Sequence, residues 1–231
     1  MGTYTELKRA AYEANIEIPK QDLAIYTFGN VSAFDPGKGV YAIKPSGVPY
    51  KELTAEHMVV VDLENTVVEG TLRPSSDTKT HTVLYKNFSG IGGICHTHSP
   101  YAVGWAQACT PVPIFGTTHA DHLTSDIPVT AVMPDEAIAG DYEEETGNQI
   151  LEAFKELDPK EVEMVLVACH GPFSWGKDAM KAVYNSRVLE ELAKMALFTL
   201  TVKPEAHRLK QTLRDKHYYR KHGKNAYYGQ Q

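Results

Sequence analysis

Short β-rich runs follow one another in the first third of the chain, and they restrict the kind of sheet that can form. The runs are LAIYTF at residues 23–28, GVYAIK at 39–44 and MVVVDLENTVVEG at 58–70, separated by turns that contain Gly, Pro and Asp. GGICHTH and EMVLVAC are predicted as further strands. Because strands succeed one another without regular alternation with helices, a mixed or antiparallel sheet is favoured over a doubly wound parallel one.

Four segments have the apolar spacing or the capping residues of helices. YTELKRAAYEANI opens the chain, SSDTKTHTVLYKNF begins with serine caps, and DAMKAVYNSRVLEELAKMALFTL has an almost continuous apolar face. Ser99 and Pro100 are a typical N-cap and first helical residue for a further short helix. Helices interspersed with such strands predict an α/β fold in which helices cover the faces of the sheet.

Length and composition indicate one intracellular domain. The 231 residues contain no Gly/Ser- or Pro-rich linker, so residues 1–231 are predicted to share one core. The N-terminus is charged and amphipathic, and no uncharged apolar stretch of about 18 residues occurs, so we expect neither secretion nor membrane insertion. Cys95, Cys109 and Cys169 are odd in number and lie among apolar neighbours, so we expect buried, reduced thiols and a cytoplasmic protein.

Positive charge is concentrated at the C-terminus. Residues 203–231 hold eight lysines and arginines against two acidic residues, although the whole chain has a net charge of −6. Such a basic tail can bind nucleic acid, remain solvated, or dock on an acidic neighbouring subunit. The tyrosines of the tail and the acidic remainder of the chain argue against nucleic acid as the main partner.

A pair of histidines, His96 and His98, ends one predicted strand. Alternate residues of a strand project from the same face, so the two imidazoles can chelate one ion, although histidines at strand ends are often only hydrogen-bonded. His170 follows another predicted strand, and three imidazoles with one open position resemble a catalytic zinc site. Asp77 is the best carboxylate to complete that site, but it can also be an ordinary acid at a helix N-terminus.

Three segments rich in Gly, Ser and Asn indicate a phosphate site. TFGNVS, KPSG and RPSSD each adjoin an apolar run and offer backbone N–H groups and hydroxyls, and the second adds a lysine. Each segment alone is also compatible with an ordinary turn or cap. Beside a metal cluster, the three together favour a small phosphorylated substrate. The candidate residues are Gly29, Asn30, Lys44, Ser46, Gly47, Ser75 and Ser76.

Several longer motifs resemble, in order and nearly from end to end, the L-ribulose-5-phosphate 4-epimerases of the class II aldolase and epimerase superfamily. The motifs are TFGNVSAFD, IKPSGVPY, RPSSDTKTH, GICHTHSPYAVGWAQ, GTTHADH, ACHGPFSWG and DKHYYRKHG followed by AYYGQ. This resemblance implies a three-layer α/β/α fold with a central, largely antiparallel sheet. It also implies a cyclic homotetramer with active sites between adjacent subunits.

The resemblance also implies roles for individual residues. Asp121 and Tyr228 correspond to the family's acid/base pair, and His217 to a histidine that helps from the neighbouring chain. The basic tail, residues 203–231, is then expected to reach the adjacent subunit. The seven candidate phosphate residues correspond to substrate contacts. The expected cofactor is Zn²⁺, or another divalent transition metal ion, held by Asp77, His96, His98 and His170.

The implied reaction interconverts L-ribulose 5-phosphate and D-xylulose 5-phosphate. C4 is β to the carbonyl and bears no acidic proton, so inversion requires cleavage of the C3–C4 bond in a retro-aldol step. Glycolaldehyde phosphate then rotates and adds back from its other face. Zinc supplies a Lewis acid for the ketose oxygens, and two acid/base groups move protons on opposite faces of the aldehyde. The sequence leaves open whether the reaction serves an arabinose or an ascorbate- or gulose-derived pathway.

Two alternatives remain. In the first, a ketose-phosphate aldolase of the fuculose or rhamnulose type, the fragments leave instead of recombining. The fuculose type carries glutamate where this chain has Asp77, and the pair of Asp121 with a C-terminal tyrosine matches the epimerases. The second alternative is a non-catalytic interaction domain like those of the adducins, but such domains lose the ligand residues that this chain retains.

Overall fold

A single seven-stranded sheet forms the centre of the protein. The structure, a computed structural model, describes residues 3–222 and 226–227. All strand pairs in the sheet are antiparallel, and the spatial order is β4-β3-β2-β1-β5-β7-β6. The strands are β1 (Asn30–Asp35), β2 (Val40–Ile43), β3 (Val59–Asp62), β4 (Val67–Glu69), β5 (Gly93–His96), β6 (Met164–Val167) and β7 (Gly171–Gly176).

Helices connect and cover these strands. A short 3₁₀ helix, Ala55–His57, precedes β3. Among the helices that the structure describes, none is long and apolar enough to cross a membrane. The α-helices are α1 (Thr5–Lys20), α2 (Thr78–Asn87), α3 (Pro100–Gln107), α4 (Thr117–Ala120), α5 (Asp135–Ala139), α6 (Tyr142–Ala153), α7 (Ala179–Val202) and α8 (Gln211–His222).

Side chains alternate between the two faces of the sheet and form two cores. In β5, Ile94 packs into the core that contains α2, α3 and α6, whereas Cys95 packs into the core that contains α1. The first half of α7 contributes Ala182 to the α1 core, and its second half contributes Leu192 to the other core. This arrangement confirms the predicted α/β fold with a largely antiparallel sheet covered by helices on both faces.

One predicted strand does not form, and one strand was not predicted. LAIYTF does not form a strand, because Tyr26 has φ of 55° and the chain turns there, with Phe28 N–H donating to the Ile25 carbonyl. Pairing in the sheet begins only at Asn30. GPFSWG, in contrast, forms β7, a strand for which its initial Gly-Pro gives no sequence signal.

The prediction that all three cysteines are buried is also wrong. Cys95 is buried inside β5, but Cys109 and Cys169 are exposed. Each of the exposed cysteines lies just past the end of an apolar element, Cys109 after α3 and Cys169 in the turn between β6 and β7. Their apolar sequence neighbours therefore enter the core while the cysteines themselves lie in turns.

Candidate functional site

One cavity collects residues from six separate parts of the chain. It has a volume of about 450 Å³ and lies where β1 begins, β5 ends and β7 begins. The register pairs Asn30 with His96 and His96 with Phe173, so antiparallel pairing brings these strand ends to one edge of the sheet. The residues that the sequence singled out for metal or phosphate binding all line this cavity: Gly29, Asn30, Lys44, Ser46, Gly47, Ser75, Ser76, Asp77, His96, His98 and His170.

Three imidazoles converge in this cavity. His96 is the last residue of β5, His98 follows two residues later, and His170 directly precedes β7. The Nε2 atoms of His96 and His98 are 3.1 Å apart. One nitrogen from each of the three rings lies within 4.8 Å of the others, a spacing at which one ion can contact all three.

The tautomer of His96 is set by its surroundings. Its Nδ1–H donates to the Pro172 carbonyl at 2.9 Å, because a carbonyl can only accept. The proton of the neutral ring is therefore on Nδ1, and Nε2 has a free lone pair facing His98. Burial and the neighbouring imidazoles lower the pKa of His96 to about 3, and burial also lowers the pKa of His170. Both rings are thus held in the neutral form that a metal ion requires.

Asp77 lies beside the imidazoles instead of capping its helix. It occupies the N-cap position of α2, but its side chain makes no capping hydrogen bond. It accepts a hydrogen bond of 2.5 Å from Asn30 Nδ2. Burial disfavours the carboxylate, but the adjacent His96 and His81 rings outweigh that effect and lower the pKa of Asp77. The carboxylate is therefore ionised next to the three imidazoles.

This donor set fits a zinc ion or a similar divalent transition ion. Three imidazoles and one carboxylate supply the nitrogen and oxygen ligands that such ions prefer. The Asn30 Oδ1 atom is buried and has no hydrogen-bond partner among the described residues, so a further polar group is needed at this point. The residues present are thus compatible with a metal centre that retains a position for substrate.

A buried lysine also lines the cavity. Lys44 is 2% exposed, and its Nζ is 3.3 Å from the Thr27 carbonyl and 5.0 Å from the centre of the Tyr50 ring. Burial lowers the pKa of Lys44 to about 8. A buried ammonium group of this kind gains free energy from an anionic ligand because its own environment solvates it poorly.

Two of the serines that line the cavity with Lys44 have backbone N–H groups that already donate to other residues. Ser46 N–H donates to the Arg73 carbonyl, and Ser75 N–H donates to the Lys44 carbonyl. These bonds tie the KPSG and RPSSD segments together, so the two amides are already used. A phosphate bound here would be contacted by the serine hydroxyls and by Lys44, and not by the N–H groups of Ser46 and Ser75.

Sequence reasoning missed three residues near the metal end. Tyr142, at the start of α6, lines the cavity, and its Oη is 3.4 Å from His170 Nδ1. Glu143 lines the cavity as well. His81 is fully buried one turn after Asp77, and its Nδ1 is 2.7 Å from the Ser32 hydroxyl. For His81, the spacing of four residues from Asp77 was a sequence signal, because it places both residues on the same side of a helix. For Tyr142 and Glu143 there was no such signal, because α6 lies far from the other motifs in sequence.

The proposed acid/base residues lie elsewhere. Neither Asp121 nor His217 is among the described residues that line the cavity. The structure brings these two together, because α8 packs against α4 and His217 Nδ1–H donates to Asp121 at 3.0 Å. Arg220 also donates to both carboxylate oxygens. Partial burial opposes ionisation, but these hydrogen bonds outweigh it and lower the pKa of Asp121. Tyr228 lies outside the described residues.

Comparison with known proteins agrees with this architecture. The sequence model of the family described as "Class II Aldolase and Adducin N-terminal domain" matches residues 9–197. An L-fuculose 1-phosphate aldolase structure superimposes with a TM-score of 0.78 at 24% identity, covering 94% of this chain and 97% of that chain.

Two further solved structures have the same fold. A putative aldolase/epimerase/decarboxylase from Klebsiella pneumoniae, YgbL, has a TM-score of 0.73 at 24% identity, covering 94% of this chain and 99% of that chain. An L-fuculose-1-phosphate aldolase from Thermus thermophilus has a TM-score of 0.66 at 22% identity, covering 88% of this chain and 98% of that chain. At these identities, the likeness concerns the fold and not the substrate.

Proposed function

We propose that this chain, which belongs to the class II aldolase and adducin N-terminal domain family, is a zinc-dependent epimerase that interconverts L-ribulose 5-phosphate and D-xylulose 5-phosphate. The observation that carries the proposal is the composition of a single cavity. Its lining combines three imidazoles and a carboxylate with a buried lysine and serine hydroxyls. This combination suits a phosphorylated sugar, which presents both hydroxyl or carbonyl oxygens and a phosphate.

In this proposal, His96, His98 and His170 hold a divalent ion with Asp77 beside them. When bound, the ion supplies a Lewis acid that polarises the ketose oxygens and stabilises the negative charge released by C–C cleavage. The chain's own contribution is to keep His96 and His170 neutral through burial and to fix the His96 ring through its bond to the Pro172 carbonyl.

Lys44 and the serine hydroxyls would anchor the phosphate. Tethering matters for an epimerase in particular, because the glycolaldehyde phosphate fragment must remain bound while its aldehyde group turns over. Ser46 and Ser75 belong to segments joined by backbone hydrogen bonds, so the anchor is rigid. An anchor of this kind keeps the fragment phosphate in one position during cleavage and re-addition.

Asp121 and Tyr228 would transfer the protons at the C4 oxygen. Asp121 is ionised at neutral pH, which suits a general base. Because Asp121 is not among the residues that line the cavity of its own chain, we propose that it acts in the cavity of an adjacent copy in a homotetramer. The sugar-phosphate substrate, the tetramer and the tail's contact with the neighbouring subunit belong to the same proposal.

A class II aldolase acting on a related ketose phosphate is the second candidate. The similarity in fold to L-fuculose 1-phosphate aldolases favours it, and the cavity is equally compatible with cleavage that ends in product release. An adducin-like interaction domain is less well supported, because the complete set of imidazoles and Asp77 would then have no use.

The decisive experiment incubates the zinc-loaded protein with L-ribulose 5-phosphate and measures D-xylulose 5-phosphate with a coupled assay. An epimerase accumulates D-xylulose 5-phosphate without free glycolaldehyde phosphate. Accumulation of glycolaldehyde phosphate would favour the aldolase. If the zinc-loaded protein converts none of the substrate, the epimerase proposal is wrong.

A pair of histidine variants provides the control. His98→Asn removes an exposed imidazole of the metal cluster, so we expect loss of zinc and of activity without loss of the fold. His207→Asn removes an equally exposed imidazole that does not line the cavity. We expect this variant to retain its zinc and its activity.

A further inference from the structure

Two cysteines that are 60 positions apart in the sequence meet at the surface. The Sγ atoms of Cys109 and Cys169 are 3.7 Å apart, and both side chains are exposed. The third cysteine, Cys95, is buried in β5. The protein thus presents one solvent-accessible pair of thiols in contact and one shielded thiol.

The backbone holds this pair in position. The N–H groups of Cys109 and Cys169 both donate to the carbonyl of Ala106, at 3.0 and 2.9 Å. Ala106 is itself fully buried in α3, so the shared acceptor is fixed. The proximity of the two sulfurs therefore follows from two backbone anchors and not from the chance orientation of mobile side chains.

The two cysteines also share an unusual backbone conformation. Cys109 has φ of 48° and Cys169 has φ of 60°, in the left-handed region that residues with a Cβ seldom adopt. Cys109 follows the C-cap residue of α3, and Cys169 lies in the turn between β6 and β7. In this conformation the side chains of Cys109 and Cys169 point toward each other, and their sulfurs are in contact.

We propose that Cys109 and Cys169 are a thiol modification site that peroxide converts into a reversible intramolecular disulfide. The sulfurs need to approach from 3.7 Å to a bond length of about 2.05 Å, a movement within the reach of two exposed turns. The site is independent of the proposed reaction, since neither cysteine lines the cavity.

The chemistry balances with peroxide as the oxidant. One of the two thiolates attacks one peroxide oxygen, the O–O bond breaks, and a sulfenic acid and one water form. The sulfur of the other cysteine then attacks the sulfenic sulfur, forming the S–S bond and releasing the second water. Two electrons and two protons pass from the two thiols to the peroxide.

The disulfide would join the end of α3 to the turn that carries His170. Cys169 immediately precedes His170, whose N–H donates to the Val167 carbonyl within the same turn. Oxidation would therefore restrain the β6–β7 turn covalently.

The test treats the zinc-loaded, full-length protein with a small molar excess of hydrogen peroxide under conditions that keep it folded. We expect one dithiothreitol-reversible disulfide per chain, seen as a mass decrease of about 2 Da. Peptide mapping should identify the linked peptides as those of Cys109 and Cys169, with Cys95 still free. A disulfide between chains, or oxidation of single cysteines to sulfinic acid without an intramolecular link, would overturn the proposal.

Serine variants separate the two thiols. Each variant should be unable to form the intramolecular disulfide, so its remaining exposed cysteine should stop at a sulfenic acid that dimedone labels. Both variants should keep the thermal unfolding midpoint of the reduced wild-type protein. An intramolecular disulfide in either variant, which could form only with Cys95, would contradict the pairing of Cys109 with Cys169.

Discussion

Lys44 is a buried amine whose surroundings stabilise its positive charge poorly. Its Nζ is 3.3 Å from the Thr27 carbonyl and 3.5 Å from the Pro45 carbonyl, near the outer limit for a hydrogen bond. The Tyr50 ring adds a weak cation–π contact. Because burial lowers the pKa of Lys44 to about 8, the free protein loses this charge in a pH range that binding experiments can reach.

This pKa predicts how phosphate binding depends on pH. An anion binds the protonated amine, so the affinity for inorganic phosphate should begin to fall near pH 8 and should decrease by up to about tenfold per pH unit above that. Isothermal titration calorimetry from about pH 7.5 to 9.5 measures this decrease. Lys44→Gln should bind phosphate weakly at every pH, whereas the exposed Lys51→Gln should retain the wild-type profile. An unchanged profile in Lys44→Gln would show that another group binds the anion.

At the scale of single residues, the sequence indicated which residues belong to the candidate site better than it indicated their contacts. Asp77, His96, His98 and His170 could be predicted as candidate ligands because each lies beside the end of a predicted strand or helix. The hydrogen bond from Asn30 to Asp77 joins residues 47 positions apart and depends on where the start of α2 lies relative to the start of β1. Tyr142 reaches His170 only through packing of α6, which no local pattern encodes.

At the scale of elements, the errors of prediction have a common cause. LAIYTF has a strong β propensity, but Gly29 has φ of 76° and a Cβ there would lie 2.8 Å from the His96 carbonyl oxygen. The backbone at Gly29 thus lies against the backbone at His96, and the pairing of β1 with β5 begins at the next residue, Asn30. β7 forms for the converse reason, because pairing with β5 and β6 on both sides stabilises a segment of low intrinsic propensity. Tertiary pairing therefore outweighed propensity in both segments.

The contact between α2 and α6 gives a prediction at the same scale. A Cβ on Gly147 of α6 would lie 2.6 Å from the Cβ of Val83 in α2, so Gly147→Ala must separate the two helices. We expect the free energy of unfolding to fall by about 1–3 kcal/mol, despite the better helix propensity of alanine. Urea denaturation at a fixed protein concentration measures the change.

Gly104→Ala is the matched control for that experiment. Gly104 also lies inside a helix, α3, but a Cβ there would meet nothing within 4 Å. Only the higher helix propensity of alanine then affects stability, and it should raise the free energy of unfolding by up to about 1 kcal/mol. If both alanine variants were stabilised, α2 and α6 would not be packed as closely as the structure indicates.

At the scale of the whole molecule, the chain has two separated halves of one proposed active site. The metal and phosphate residues share a cavity, while Asp121 and His217 lie together where α8 packs on α4. Apolar side chains are exposed near the cavity, with Ile25, Tyr26 and Phe28 exposed by 62%, 79% and 50%. An exposed apolar surface of this kind is typical of a contact with another protein chain. It supports the proposal that a second copy covers the cavity and brings its Asp121 into it.

Mixing two inactive variants tests whether the halves come from different chains. His98→Asn lacks the metal half and Asp121→Asn lacks the proton-transfer half, so each homotetramer should be inactive. After the variants are mixed, unfolded and refolded together, an interface can combine the intact cavity of one chain with the intact Asp121 of the next. Random assembly of a cyclic tetramer makes about one quarter of the interfaces of this kind, so activity should recover to roughly a quarter of the wild-type value. A mixture of His98→Asn with His170→Asn should recover nothing, because both changes damage the same half. If the first mixture also stays inactive although mixed tetramers form, Asp121 does not serve the cavity of a neighbouring chain.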